Sequence, residues 1–206
     1  MSPDDILANA ERLISDAKHL HEVGRIRSAA TLIVVALEEL GEFVEAAAKE
    51  KYPEAVVHMG LFGDKANAHA KRQDTLAAHV LNWTMGQLTN QFCWEIFVDK
   101  TGCGGSVKFL QWLKTAVPLE FKDDQKQRMK ENHELRMAGL LMKMVKENHL
   151  QRLRELGLYS NSAFNVSDNA IEQVIELAEV VRGILATSRY GVTPEPMQIV
   201  DPTWIK

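Results

Sequence analysis

The run from Ala29 to Glu45 reads AATLIVVALEELGEFVE. Leu32 to Leu37 is wholly apolar and flows without a break into Glu38, Glu39 and then Gly41. A helix that is apolar all round belongs in a core. A carboxylate placed in or beside a core costs several kcal/mol unless something pairs with it. The segment Lys65 to His79, KANAHAKRQDTLAAH, carries the cations and imidazoles that can supply those partners. Most of the functional argument rests on these two segments.

Working outward, helical signals dominate. Ser2-Pro3-Asp4-Asp5 is a helix start: a capping serine, a proline in the first turn and acids at the positive end of the dipole. Ile6, Leu13, Ile14, Ala17 and Leu20 then recur at helical spacing up to Gly24. A second helix is expected from about Ile26 to Tyr52, ended by Pro53. Asp64 is a candidate cap for a third, reaching about Val98. The only glycine cluster lies in Lys100 to Ser106, and a short helix is expected from Val107 to Ala116. Asp123 opens a long charged helix expected to run to about Leu156, with Gly157 as its C′ residue. Within it KENHELR (Lys130 to Arg136) echoes KENHLQR (Lys146 to Arg152), which reads as chance similarity between solvated helix faces. Ser167-Asp168 caps a last helix, Asn169 to about Ser188. No strand-like alternation stands out. The expected fold is all-α, an antiparallel bundle of about five helices forming one domain over 1–190, with a proline-containing tail over 191–206 lying extended on the surface.

The 206 residues are enough for one sizeable core, and 46% hydrophobic with 25% charged residues is the balance of a soluble globular chain. A formal charge of −4 argues against an extended basic surface for DNA and leaves room for a local RNA site. Two cysteines, Cys93 and Cys103, make neither a disulfide framework nor a zinc ribbon. No leader and no membrane span is visible, and a cytoplasmic protein is expected. No helix carries Glu-x-x-His, so the di-iron carboxylate pattern is absent and neither a metal nor a cofactor is expected.

On a helical wheel Lys65, His69, Arg72, Leu76, His79 and Trp83 fall within one stripe about 80° wide. On the preceding helix Glu38, Gly41, Glu42 and Glu45 share a face, with Glu39 on its flank. If these faces meet, Glu38 or Glu39 can reach His69 and Arg72, and Gly41 lets the backbones approach closely. Such a set can bind phosphate, move protons or hold an anion. It can equally be a buried ion-pair network that fixes helix register, and residue types alone leave both open. Arg72 with His79, six residues between, and Arg128 with His133, four between, both fit a loose Arg-x(4–6)-His pattern, and the second pair converges only at a helix end or a kink. Trp83, Phe92, Trp94 and Trp112 are expected in the core, and Tyr159 is expected to anchor a turn.

Three of these features together resemble the AbiV-type abortive infection proteins, a branch of the HEPN superfamily of helical bundles. Ala36-Leu37-Glu38-Glu39-Leu40-Gly41 is similar to the family's A-x-E-E-x-G-K segment. His69 followed at +3 by Arg72 matches its histidine and lysine, with arginine for lysine. Leu156-Gly157-Leu158-Tyr159 is similar to its G-L-Y-V turn. Glu42 stands where the family usually has lysine. The resemblance implies an antiviral protein that arrests the infected cell, a homodimer acting on RNA or the translation machinery, in the manner of HEPN relatives that are metal-independent endoribonucleases. The resemblance does not settle whether RNA is cut; for a nuclease, His69 is the choice for acid–base work, oriented by Glu38 or Glu39, with Arg72 on phosphate charge and His79 as a second histidine. Arg128 and His133 are the alternative pair. The competing reading is a non-enzymatic helical module binding a phage or host protein through an exposed helix face or the Lys100–Ser106 loop.

Overall fold

The computed structural model describes residues 1–51, 67–102, 112, 121–158 and 167–188. Over these it is helical: α1 Pro3–Glu22, α2 Ile26–Lys51, α3 Ala68–Thr101, α4 Asp123–Glu131, α5 His133–Lys146, α6 His149–Leu158 and α7 Asp168–Ser188. Among the described residues there is no strand. Asp64, Lys65, Tyr159, Cys103, most of the expected Val107–Ala116 helix and the tail from 189 onward lie outside the described residues.

α1 starts as its sequence predicts. The Ser2 hydroxyl accepts from the Asp5 N–H at 3.2 Å, and the Asp5 carboxylate accepts from the Ser2 N–H at 3.1 Å. Each satisfies a backbone donor that the first helical turn leaves open. The Ser2 bonds hold the Asp5 carboxyl below the usual carboxylate range. Ile6, Ala10, Leu13, Ile14 and Ala17 form the buried face.

α2 is the central helix and touches α1, α3, α6 and α7. Ala29, Ala30, Ile33, Val34, Ala36, Leu37 and Leu40 on it are fully buried, so the apolar run is buried on more than one side. α3 spans two apolar clusters. Its first half, with Leu76, Ala77 and Val80, enters the main core, which α7 completes from Ile171 to Leu185. Its second half supplies Leu88 and Phe92 to a small cluster with Met129, onto which Phe121 and Leu135 pack. Gly102 ends α3 in the left-handed conformation at φ 63°, where a side chain would be strained. Trp94 departs from the core expectation. It is 38% exposed, while Phe92 on the other side of the helix is 1% exposed.

The expected long helix from Asp123 is broken twice, which is why the described helices number more than the five expected. Both breaks fall at the asparagine of the KENH echo. The Asn132 N–H bonds the Met129 carbonyl and the Asn148 N–H bonds the Val145 carbonyl, three residues back in each case. The carbonyls of Asn132 and Asn148 then accept from Arg136 and Arg152, opening the next helix. Asn132 also caps α5 through its side chain, which accepts from the Leu135 N–H at 2.8 Å. Asn148 takes φ 56°, a conformation asparagine tolerates better than most residues. The echo is thus a repeated helix break, not a chance similarity. Gly157 is likewise not a C′ residue: it lies inside the last turn of α6, against Thr31 and Arg27 of α2.

His79 is partly buried on α3 and faces the end of α7, with Nε2 3.4 Å from the Ser188 hydroxyl. Burial pushes its pKa from 6.5 down to about 4. Between those values the unfolded chain takes up a proton that the folded chain refuses. Stability is therefore expected to fall as pH drops from about 6.5 towards 4, by on the order of 2 kcal/mol after allowance for residual solvent contact. Urea titrations at pH 7 and pH 4.5 should show this loss in the wild type and a smaller one in His79→Gln. An equal loss in both proteins would assign the acid sensitivity to other groups.

Candidate functional site

Glu38 is the convergence point of three helices. It follows the apolar run of α2 by one residue and is 3% exposed. From α3, His69 Nδ1 lies 2.8 Å from Glu38 Oε2, and Gln73 Nε2 donates to Oε1 at 3.0 Å. From α6, Arg154 Nη1 lies 3.7 Å from Oε1. A buried carboxylate is tolerated because both oxygens are engaged and a guanidinium stands nearby.

The helix starts and glycines set these distances. Asn67 caps α3, its side chain accepting from the His69 N–H at 2.9 Å, so the first turn of α3 is fixed where His69 leaves it. A Cβ on Gly41 would run into the backbone carbonyl of Arg72, so only glycine lets α3 lie this close to α2. A Cβ on Gly157 would run into the side chain of Thr31 and the carbonyl of Arg27, so the same holds for α6. Each glycine lies within one turn of a residue that reaches Glu38: Gly41 on the helix that carries it, Gly157 next to Arg154.

Further along α2, the acids meet α3 rung by rung. Glu42 Oε2 pairs with Arg72 Nη2 at 2.6 Å, and Glu45 accepts from the Thr75 hydroxyl at 3.4 Å. Arg72 thus reaches Glu42, not Glu38 or Glu39. The two positions that depart from the AbiV pattern, Glu42 and Arg72, are each other's partners. Glu39, on the flank of the helix, turns away to α1 and accepts from the Asn9 amide at 3.0 Å. It does not join His69.

The chemistry of the cluster follows from these contacts. A carboxylate only accepts, so its partner nitrogen Nδ1 carries the proton and Nε2 is left as the basic nitrogen. The His69 side chain is 38% exposed, so part of the ring meets solvent. Arg72 and Glu42 are about one-third exposed and form the rim.

The remaining candidates lie elsewhere. His79 sits ten residues along α3 from His69, about 15 Å at the helical rise. Arg128 is held by both oxygens of Glu95 at 2.9 Å and stacks 4.9 Å over the Phe92 ring. That bidentate bond pulls the Glu95 carboxyl below its usual range and raises the guanidinium. His133 begins α5 and faces Glu176 of α7 at 3.7 Å. The chain does bend between Arg128 and His133, at Asn132, yet the two side chains serve different helices. No group of three or more metal-ligating side chains is found among the described residues.

Sequence reasoning missed Gln73 and Arg154. Gln73 was findable as the residue one turn beyond His69 on the same face. Arg154 had one signal: a glycine three residues on, marking the place where α6 closes on α2.

A helical bundle with a buried glutamate paired to a part-exposed histidine between two glycine contacts, led by an E-E-x-G segment, defines the class. Residues 2–176 match the model of the AbiV family of HEPN proteins, and the chain belongs to that family. Membership gives it an abortive-infection, antiphage role. No curated protein and no solved structure matches the chain. Among the described residues no helix is long and apolar enough to cross a membrane.

Proposed function

We propose that the chain acts in abortive infection as a cytoplasmic homodimer that attacks RNA or the translation machinery, and that its chemistry is metal-independent RNA cleavage at His69. The observation that carries this reading is the His69–Glu38 pair: Nδ1 fixed by a carboxylate 3% exposed, on a ring that itself remains accessible. The arrangement is that of a general base with its orienting group. In the proposed reaction Nε2 of His69 takes the proton of a ribose 2′-hydroxyl as that oxygen attacks the adjacent phosphorus. The bond to the 5′-oxygen breaks, that oxygen takes up a proton, and a 2′,3′-cyclic phosphate and a 5′-hydroxyl result. In this reading Arg72, paired with Glu42, and Arg154, 3.7 Å from Glu38, are the cations that offset charge on the phosphate.

Controlled expression of wild type and His69→Ala in a bacterial host, with RNA ends mapped and growth followed, tests this. Wild type should give position-specific new ends and growth arrest, and His69→Ala should cut at least a hundredfold less. Its melting temperature should fall only modestly, since the ring is part-exposed. Arrest by the wild type with RNA left intact would remove the nuclease reading and favour a protein that blocks translation by binding.

A further inference from the structure

A pocket of about 220 Å³ lies between the first turns of α3 and the junction of α5 with α6. It is lined by Asn67, Ala70, Gln73, Val145, Asn148 and Gln151. Of these six described residues four are carboxamides and none is charged. Gln73 belongs both to this pocket and to the Glu38 network that holds His69.

The amides are only partly used within the protein. Asn67 accepts from the His69 N–H through its oxygen, and Gln73 and Gln151 each donate once, to Glu38 and Glu155. That leaves the Asn67 nitrogen, the oxygens of Gln73 and Gln151 and the whole Asn148 amide without a side-chain partner among the described residues. Asn148 is also the only described non-glycine residue with a positive φ. Exposed cations stand next in the chain to lining residues: Lys71 after Ala70, Lys146 after Val145, Arg152 after Gln151.

Among the described residues the lining holds amides and no charge to meet a phosphate, and it is too polar for an alkyl group. Its donors and acceptors suit the edge of a nucleobase, which presents both kinds side by side. We propose that this pocket receives one unpaired nucleobase of an RNA strand. The amides read its edge, the neighbouring ribose is carried to His69, and the flanking phosphates meet Lys71, Lys146 and Arg152. The inference rests on the nuclease reading above for its substrate, and it adds a selection rule: single strands are taken and duplexes refused, because pairing occupies the edge that the amides need.

The test uses the full chain carrying His69→Ala, so that nothing is cut during titration. Asn148→Gly keeps the left-handed backbone and removes the amide. Gln151→Ala removes a second amide at the cost of one exposed bond to Glu155. The probes are a short fluorescein-labelled single-stranded RNA of mixed sequence, its duplex, and an abasic ribose-phosphate strand of equal length, followed by anisotropy at fixed salt. The parent should prefer the base-bearing single strand over both other probes. Adding Asn148→Gly and Gln151→Ala should weaken that strand about tenfold at unchanged melting temperature and leave the abasic strand unaffected. Equal affinity of parent and variant for the RNA overturns the base pocket, whatever the cleavage experiment shows. Equal weakening of the abasic strand also overturns it, because the amides would then be touching the backbone. Base-dependent binding that the variant loses upholds the pocket even if wild type leaves RNA uncut, in which case only the cleavage reading falls.

Discussion

Gly41→Ala is expected to lower stability by about 3 kcal/mol or more, although alanine is the better helix former by about 1 kcal/mol. The added Cβ meets the carbonyl of Arg72, whose carbonyl carbon would lie 2.8 Å away. That obstacle is helix backbone and cannot swing aside as a side chain would. α2 and α3 must separate, and the separation also lengthens the contacts from Glu38 to His69 and Gln73. For a chain of this size the loss corresponds to a fall in melting temperature on the order of 10 °C. Gly86→Ala is the internal control. Gly86 also lies within α3, but nothing stands within 4 Å of a Cβ placed there. It should stabilise by up to about 1 kcal/mol. Scanning calorimetry of the two variants separates the effects, and a neutral Gly41→Ala would show that the helices do not approach as described.

The second large effect is expected at Glu38. Glu38→Ala leaves a buried void and removes the acceptor of Gln73, the partner of His69 and the counter-charge of Arg154. Breaking a buried charged network from one side costs about 3–5 kcal/mol. His69 and Arg154 keep some access to water, so the lower end of that range is expected here. Glu38→Gln preserves volume and one acceptor oxygen and should cost less than half as much. Both should lose antiphage protection. The pair of variants therefore splits stability from activity: protection lost in Glu38→Gln at near-native denaturant midpoint means that the carboxylate acts through His69. Protection that follows the midpoint in both means that Glu38 only holds the helices together.

The central part of the fold is legible because its signals are local. An apolar run ending in two acids has few solutions, and α2 takes the expected one, burying Glu38. The meeting of α2 and α3 is legible from the shared faces and from Gly41. What was not legible depends on rotation about the helix axis by one residue. Glu38 and Glu39 are adjacent and differ by 100°, and that difference sends the first to His69 and the second to Asn9. The same step sends Arg72 to Glu42 instead of Glu38. Arg154 sits in the charged stretch Gln151 to Glu155, where only the glycine three residues on sets it apart from Arg152. Only long-range packing, through Gly157, selects it. The two breaks in the long charged helix were visible as a repeated KENH, but asparagine is tolerated within helices, and the repeat alone does not say whether it caps or continues.

The rung formed by Glu42 and Arg72 lies at the rim of the site, and an ion pair this exposed contributes about 1 kcal/mol at most. Both of its residues differ in charge or shape from the AbiV pattern, and the helices meet all the same. Gly41, beneath it, has no such freedom, since one extra carbon there displaces backbone. The two positions are therefore expected to tolerate change differently. In this chain the electrostatic dressing around the histidine can be rewritten by paired substitutions at little cost, while the spacing that holds the histidine to its glutamate depends on a missing side chain.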